Sequence, residues 1–197
     1  MMELDLIVGS GGVLSHAPRR EQSAKMLIDS FLPEGVTSLA VDSIFMMPQL
    51  GVMANIENKE IAEQARVAAL EVFEKDCLIR LGTCIAPAGK LNNSEKILNV
   101  NLEFKNGDKK NIDIGFGDLI RIKVDYEKVK ATLTPGKSVN VGAGFGEQIN
   151  TDIYGGQVGI IIDCRGRPLK INQSSSKRIA DLKKWSDAVD EYPELGK

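Results

Sequence analysis

The spacing of apolar residues changes abruptly near residue 87. Before that point, short apolar runs at residues 4–8 and 38–41 predict two buried strands. Apolar residues at helical spacing occupy three further segments: residues 21–31, residues 44–56 and a long helix for which Asn58 is the predicted N-cap. The order strand, helix, strand, helix predicts an open α/β layer over residues 1–86.

From residue 87 to residue 171 the apolar period is two residues, which is typical of strands with one buried face. Residues 98–104 and 112–116 both alternate, and Asn106-Gly107 between them predicts a hairpin with a type I′ turn. Residues 158–162 are continuously apolar, which predicts a strand buried on both faces. These signals together predict a small β-sandwich or barrel.

In the tail, residues 172–197, three serines at residues 174–176 can cap a helix. Ile179, Leu182, Trp185 and Val189 then fall on one helical side, so we expect a docked C-terminal helix. The predicted fold class is therefore α/β plus all-β, in three segments: residues 1–86, 87–171 and 172–197.

Charge and cysteine usage exclude several classes of function. The chain has 25 basic and 27 acidic residues, and a net charge of -2 gives no overall field that would attract nucleic acid or an anionic membrane. Its 3 cysteines have no C-x-x-C spacing, so neither a disulfide framework nor a zinc site is predicted. A reducing cytoplasm fits this pattern best. No apolar stretch approaches the roughly 20 residues that span a bilayer.

The glycine-rich turn at residues 8–15, VGSGGVLS, is the most informative motif. Glycines after a buried strand let a ligand approach the backbone closely, and the following amides can donate to it. The motif lacks the third glycine of a dinucleotide fingerprint and the Gly-Lys-Ser/Thr of a P-loop, so by itself it favours a plain tight turn over a ligand loop. Asp42-Ser43 after the second strand has two interpretations also, a ligand contact or a helix N-cap.

Four weaker candidates each have a structural alternative. His16 is either a proton donor or metal ligand, or a surface residue. Residues 142–146, GAGFG, are either an anion nest or a turn between strands. Arg165 and Arg167 either bind a carboxylate or phosphate, or form ordinary ion pairs at a solvated hairpin end. Cys164 would be reactive only with a depressed pKa. No catalytic residue and no metal site is predicted.

Three stretches carry a resemblance to a known family: residues 6–16, LIVGSGGVLSH; residues 39–51, LAVDSIFMMPQLG; and residues 155–169, GGQVGIIIDCRGRPL. In this order they resemble the C-terminal region of the MutL-type accessory proteins of cobalamin-dependent glutamate mutase. That family is unrelated to the mismatch-repair protein of similar name.

The resemblance implies an actin/Hsp70-like ATPase fold, in which a strand followed by Gly-Gly and a helix holds the adenosine of ATP. It implies a partial subdomain of this kind in residues 1–86, with ATP or ADP and Mg²⁺ bound mostly by residues outside this chain. The residues implied at the nucleotide edge are Gly9, Gly11, Gly12, Val13 and Ser15, with Asp42 and Ser43 as neighbours. The implied role is that of a chaperone-like, cytoplasmic reactivating factor whose partner is the mutase.

The resemblance also implies that the phosphate-binding loops and the catalytic acid precede the first strand. We therefore expect no ATP hydrolysis by residues 1–197 alone, and expect a missing N-terminal ATPase lobe or a second chain to complete the site. A second hypothesis is a non-enzymatic protein-interaction module without nucleotide binding, in which residues 9–12 are only a turn. A third is a small-molecule enzyme that uses Cys164 or His16.

Overall fold

A computed structural model of the chain describes residues 4–90 and 96–192. Residues 91–95 of the predicted β segment and residues 193–197 of the predicted tail therefore lie outside the described residues. The described chain is a mixed α/β structure with a five-stranded, a four-stranded and a two-stranded sheet. The prediction of a mixed α/β fold with a C-terminal helix is thus confirmed at this level.

The helices are α1 (Gly12–Ser15), α2 (Arg20–Phe31), α3 (Met47–Ala54), α4 (Ala62–Val72) and α5 (Ser175–Ala188), with a π-helical turn at Phe73–Cys77. The strands are β1 (Leu6–Gly9), β2 (Gly35–Asp42), β3 (Leu78–Ala86), β4 (Ala88–Gly89), β5 (Leu98–Glu103), β6 (Lys109–Ile114), β7 (Leu119–Ile122), β8 (Lys128–Pro135), β9 (Val139–Asn140), β10 (Ile149–Tyr154) and β11 (Gly159–Asp163).

The five-stranded sheet has the order β1-β2-β3-β11-β7. β1 and β2 are parallel, β3 and β11 are parallel, and the pairs β2/β3 and β11/β7 are antiparallel. β11 is buried on both faces as predicted, because Ile160 and Ile162 enter one core while Ile161 enters the other. This sheet takes strands from both sides of residue 87, since β11 pairs with β3 and β7 pairs with β11.

The four-stranded sheet is antiparallel, with the order β10-β8-β5-β6. The predicted hairpin is present as β5 and β6, but its turn is not type I′. Gly107 has φ +90°, whereas Asn106 is not left-handed. The Asn106 side chain instead accepts from the backbone N–H of Asp108 and donates to its carboxylate. These bonds stabilise a loop that is longer than the two residues of a type I′ turn.

Two apolar cores divide the molecule into three layers. One core lies between the two large sheets, and the other lies between the five-stranded sheet and helices α2 and α5. Over the described residues no sheet closes into a barrel, so of the two predicted β architectures only face-to-face packing occurs. A third, small cluster of Leu50, Ala69 and Cys77 joins α3, α4 and the π-helical turn.

Two predictions about helices need correction. Asn58 is not the N-cap of α4, which begins at Ala62 after the N-cap Ile61; Asn58 accepts from the N–H of Glu60 in a local turn. In α5 the predicted apolar side packs against the core only in the second half of the helix. Trp185 is buried and donates to the carbonyl of Gly117, whereas Ile179 is 63% exposed.

Candidate functional site

The predicted nucleotide residues come together at one edge of the five-stranded sheet. β1 and β2 are parallel, so their carboxyl ends, Gly9 and Asp42, lie at the same edge. Two hydrogen bonds connect them: the Ser10 hydroxyl donates to a carboxylate oxygen of Asp42 over 3.2 Å, and the Ser15 hydroxyl donates to the Asp42 carbonyl. Carboxyl ends of parallel strands are where open α/β sheets place ligand sites.

The three glycines of the turn have different surroundings. A Cβ on Gly9 would approach Leu14 at 2.9 Å and Leu27 at 3.0 Å, so this glycine serves close packing of α1 and α2 on the sheet. Gly11 has φ +109°, a conformation that favours glycine. A Cβ on Gly11 or Gly12 would meet no atom within 4 Å. The backbone at Gly11-Gly12 is therefore open to a ligand, and the backbone at Gly9 is not.

Helix α1 presents backbone donors beside this opening. The N–H groups of Leu14 and Ser15 donate to the Gly11 carbonyl, while those of Gly12 and Val13 have no acceptor among the described residues. Val13 is 74% exposed, whereas Ser15 is 2% exposed and its hydroxyl is already bonded. Val13 therefore reaches the surface of the candidate site, and Ser15 supports it from inside.

The Asp42 carboxylate is fully buried and serves the start of α3. It accepts from the N–H of Met46 over 3.1 Å and from the N–H of Met47 over 2.9 Å. Burial raises the pKa of the Asp42 carboxyl, but these donors and Ser10 outweigh it, so the pKa lies below its ordinary value of 3.8. The prediction of an N-cap at Asp42-Ser43 is wrong as to position, because the N-cap of α3 is Met46; the Asp42 side chain instead accepts from the first amides of α3 from the end of β2.

Ser43 also has a structural partner, because its N–H and its hydroxyl both donate to the carbonyl of Cys77 at 2.8 Å. These bonds connect the end of β2 to the π-helical turn. A ligand contact by either Asp42 or Ser43 stays a prediction.

Sequence reasoning missed three residues near this edge. The Arg20 guanidinium donates to the Ser15 carbonyl over 2.9 Å and so places a positive charge beside α1. Ile44 and Phe45 directly follow Ser43 and are 55% and 47% exposed. Phe45 also has φ +60°, which is uncommon for a bulky residue. An arginine at a helix start and two apolar residues in a loop give no pattern that would single them out.

The comparison with known families bears on this same region. Residues 1–72 match the family model of MutL protein. The match contains β1, α1, α2, β2, α3 and α4, and with them all seven predicted nucleotide residues. The predicted resemblance to the glutamate mutase accessory MutL family is confirmed over these residues.

No curated protein and no solved structure matches the chain. The actin/Hsp70-like subdomain and the position of this chain at the C-terminal end of the MutL family therefore stay predictions. Across residues 4–90 and 96–192, no helix is both long enough and apolar enough to cross a bilayer.

The structure also decides among the weaker candidates. The amides of Gly142 and Gly144 donate to the side-chain oxygen of Asn140, so they do not form an open anion nest. In the described part of the chain, no group of three or more histidine, cysteine or acidic side chains could hold a metal ion. His16 is exposed and does not belong to such a group.

The three cysteines are free and buried. Burial raises the pKa of the Cys84 thiol to about 12. Burial also raises the pKa of the Cys164 thiol, and the negative charge of Asp163 raises it further. Both thiols are therefore protonated near neutral pH, and both are 0% exposed. This protonation and burial argue against the form of the third hypothesis in which the enzyme uses Cys164; the form that uses His16 stays a prediction.

One alternative placed the arginines after β11 at a solvated hairpin end, and the structure does not have them there. Their side chains are 1% and 2% exposed, for Arg165 and Arg167, and both donate to the buried carboxylate of Asp163. Burial raises the pKa of Asp163, but the bonds and charges of the two guanidinium groups outweigh it and lower the pKa below its ordinary value. The two forks thus bind a carboxylate of the chain itself.

Proposed function

We propose that this chain is part of an accessory protein of a cobalamin-dependent glutamate mutase, and that the turn after β1 is the adenosine edge of its nucleotide site. The family match over residues 1–72 supports the accessory role. The observation that carries the nucleotide proposal is the open backbone at Gly11-Gly12, beside two amides without acceptors.

In this proposal the chain binds and orients but does not cleave. The adenine and ribose lie against Gly11-Gly12, the N–H groups of Gly12 and Val13 are available as donors, and Ser15 and Asp42 fix the turn. A second lobe, from another segment or chain, supplies the phosphate and Mg²⁺ ligands. Nucleotide binding then drives a chaperone-like cycle that protects or reactivates the mutase. The three free thiols are consistent with a cytoplasmic location.

Gly12 offers a sharp test of the nucleotide site. Its φ is not left-handed and a Cβ there meets nothing, so Gly12→Leu leaves the free energy of unfolding nearly unchanged while it fills the opening. We expect millimolar ADP with Mg²⁺ to shift the amide resonances of residues 9–15, and Gly12→Leu to weaken this response at least about tenfold, equivalent to about 1.4 kcal/mol.

The matched control is Gly51→Leu, at a glycine that is equally open but lies in α3. It should leave the nucleotide response unchanged. Absence of any saturable shift at residues 9–15 with wild-type protein would contradict the adenosine-edge assignment. Saturable ATP hydrolysis by purified residues 1–197 would contradict the need for a second lobe.

The alternative of a protein-interaction module is favoured by one observation on α3 and α4. Large apolar side chains are exposed on both helices, among them Val52 at 76%, Leu70 at 54% and Val67 at 46%. Exposed apolar clusters of this kind mark interaction sites. Val52→Glu with Leu70→Glu should abolish binding to purified glutamate mutase if these helices form the contact. Nucleotide shifts that persist in this variant would show that the two functions are separate.

A further inference from the structure

A second candidate site lies at the opposite edge of the five-stranded sheet. β3 runs antiparallel to β2 and parallel to β11, so the carboxyl ends of β3 and β11 lie away from the Gly11-Gly12 turn. The chain leaves both strands beside a cavity of about 380 Å³. Carboxyl ends of neighbouring parallel strands commonly form ligand crevices.

Four basic side chains line this cavity, and two of them, Arg165 and Arg167, are paired with carboxylates behind the lining. The other two are Lys90 and Lys170, and no described lining residue is acidic. Because the whole chain has a net charge of -2, four cations around one cavity are a local feature and do not reflect a basic surface. A cavity lined by one sign of charge concentrates ions of the opposite sign.

The two arginines are fixed in place by the chain. Arg165 donates from Nε and Nη2 to Asp163, and Nη2 also bonds Asp29 over 2.7 Å. Arg167 donates to Asp163 and to the carbonyl of Pro33. These bonds hold both guanidinium groups rigidly, so no entropy is lost in ordering them when an anion enters.

One donor in this network has no acceptor. Nη1 of Arg165 is buried and has no hydrogen-bond partner among the described residues. Buried polar groups without partners are uncommon in folded proteins and call for an explanation. Because Nη1 is covered, an entering anion meets the exposed Lys90 and Lys170 first, and Arg165 adds its charge from behind them. Neither lysine has an ion-pair partner in the described chain.

We infer that this cavity binds a small molecule that carries a phosphate group. The charges of the two guanidinium groups are matched by Asp163 and Asp29, so the positive charge left beside the cavity is that of the two unpaired ammonium groups, which suits a dianion better than a single carboxylate. The volume exceeds that of a phosphate ion and leaves room for an attached group. Phe116, which is 40% exposed, provides an apolar wall for that group. This inference does not depend on the nucleotide proposal, because the two sites lie at opposite edges.

Trp185 gives a local optical signal for the test. It is the only tryptophan, and the Arg165 guanidinium carbon lies 5.1 Å from the centroid of its ring. Inorganic phosphate and phenyl phosphate are titrated into the full chain while Trp185 fluorescence is followed, with acetate and benzoate as carboxylate counterparts and potassium chloride at equal ionic strength. We expect a saturable change with both phosphates, tighter for phenyl phosphate, and none with chloride.

The decisive variant is Lys90→Gln with Lys170→Gln, which changes two exposed side chains and leaves the buried network intact. It should weaken phosphate binding about tenfold or more, because the variant removes both exposed ammonium groups that an entering anion meets first. Lys105→Gln with Lys130→Gln is the matched control, because these lysines are also exposed and without ion-pair partners but line a different cavity.

Three results would overturn the proposal: no saturable change with either phosphate, equal weakening in both lysine pairs, or carboxylates that bind as tightly as phosphates. Failure of Gly12→Leu to affect ADP binding would count only against the nucleotide proposal, so the two failures are distinguishable.

Discussion

Replacement of Asp42 by Asn tests whether the edge that carries the candidate nucleotide site is held by one buried carboxylate. Asn has nearly the same shape but retains one acceptor oxygen and presents an NH₂ group in place of the other. The carboxylate now accepts three bonds, from Met46, Met47 and Ser10. In Asp42→Asn at least one N–H at the start of α3 loses its acceptor and faces another donor.

The expected loss follows from the number of bonds. Hydrogen bonds to a charged group contribute about 1.5–3 kcal/mol each, and a buried donor without a partner costs about 1–3 kcal/mol. The lost helix cap is part of this same cost and adds no separate amount. We therefore expect Asp42→Asn to lower the free energy of unfolding by about 2–4 kcal/mol at pH 7, measured by urea denaturation with circular dichroism.

The pH dependence gives a second check of the same reasoning. The folded pKa of Asp42 lies below its unfolded value near 3.8, so its stabilisation is complete above pH 3.8 and is lost as pH falls through the folded pKa. The stability difference between wild type and Asp42→Asn should therefore be constant at neutral pH and shrink in acid. Asp152→Asn is the control, because Asp152 forms an exposed pair with Lys128 and should matter little. A loss at Asp42 no larger than at Asp152 would refute the capping argument.

Two further predictions concern glycines and thiols. Gly82→Ala should lower the free energy of unfolding by about 3 kcal/mol or more in urea denaturation, because the φ of Gly82 is +138° and a Cβ would overlap the carbonyl of Gly159. The control Gly51→Ala, at an open position in a helix, should raise the free energy of unfolding by about 0.5–1 kcal/mol. Equal effects of the two substitutions would show that the sheet tolerates a side chain at Gly82. Cys84 and Cys164 should resist iodoacetamide at pH 8 in the native protein and react in urea, as followed by intact mass, because both are 0% exposed and their thiol pKa values are raised; rapid native labelling would contradict their burial.

The elements that the sequence predicted are those with strong local patterns. The alternation on either side of Asn106-Gly107 predicted a hairpin, and the structure has β5 and β6 there. The apolar run at residues 158–162 predicted a doubly buried strand, and β11 is one. Such patterns need only neighbouring residues, because a strand face repeats every two positions. The prediction of a type I′ turn was wrong because the Asn106 side chain forms hydrogen bonds with Asp108. The Asn-Gly pair alone does not indicate these bonds.

Part of the candidate site was also readable from the sequence. Glycines after an apolar strand predicted the turn, and the alternative of a cap for Asp42 was already open. What distinguished Gly9 from Gly11 and Gly12 was the side chains around them, since Leu14 and Leu27 pack against Gly9 only. The partners of Asp42 depended in the same way on how α3 returns to the end of β2.

The sequence by itself determined the local elements, the glycine turn and the family resemblance of the first 72 residues. Only the tertiary structure decided that β7 and β11 complete the sheet begun by β1 to β3. It also decided that Lys90 and Lys170, which are far apart in the sequence, line the same cavity. The reason is physical: periodicity reports which face of a segment is buried, whereas strand order and cavity walls depend on pairings between distant residues. The contact of Gly82 with Gly159 is such a pairing, and no local pattern encodes it.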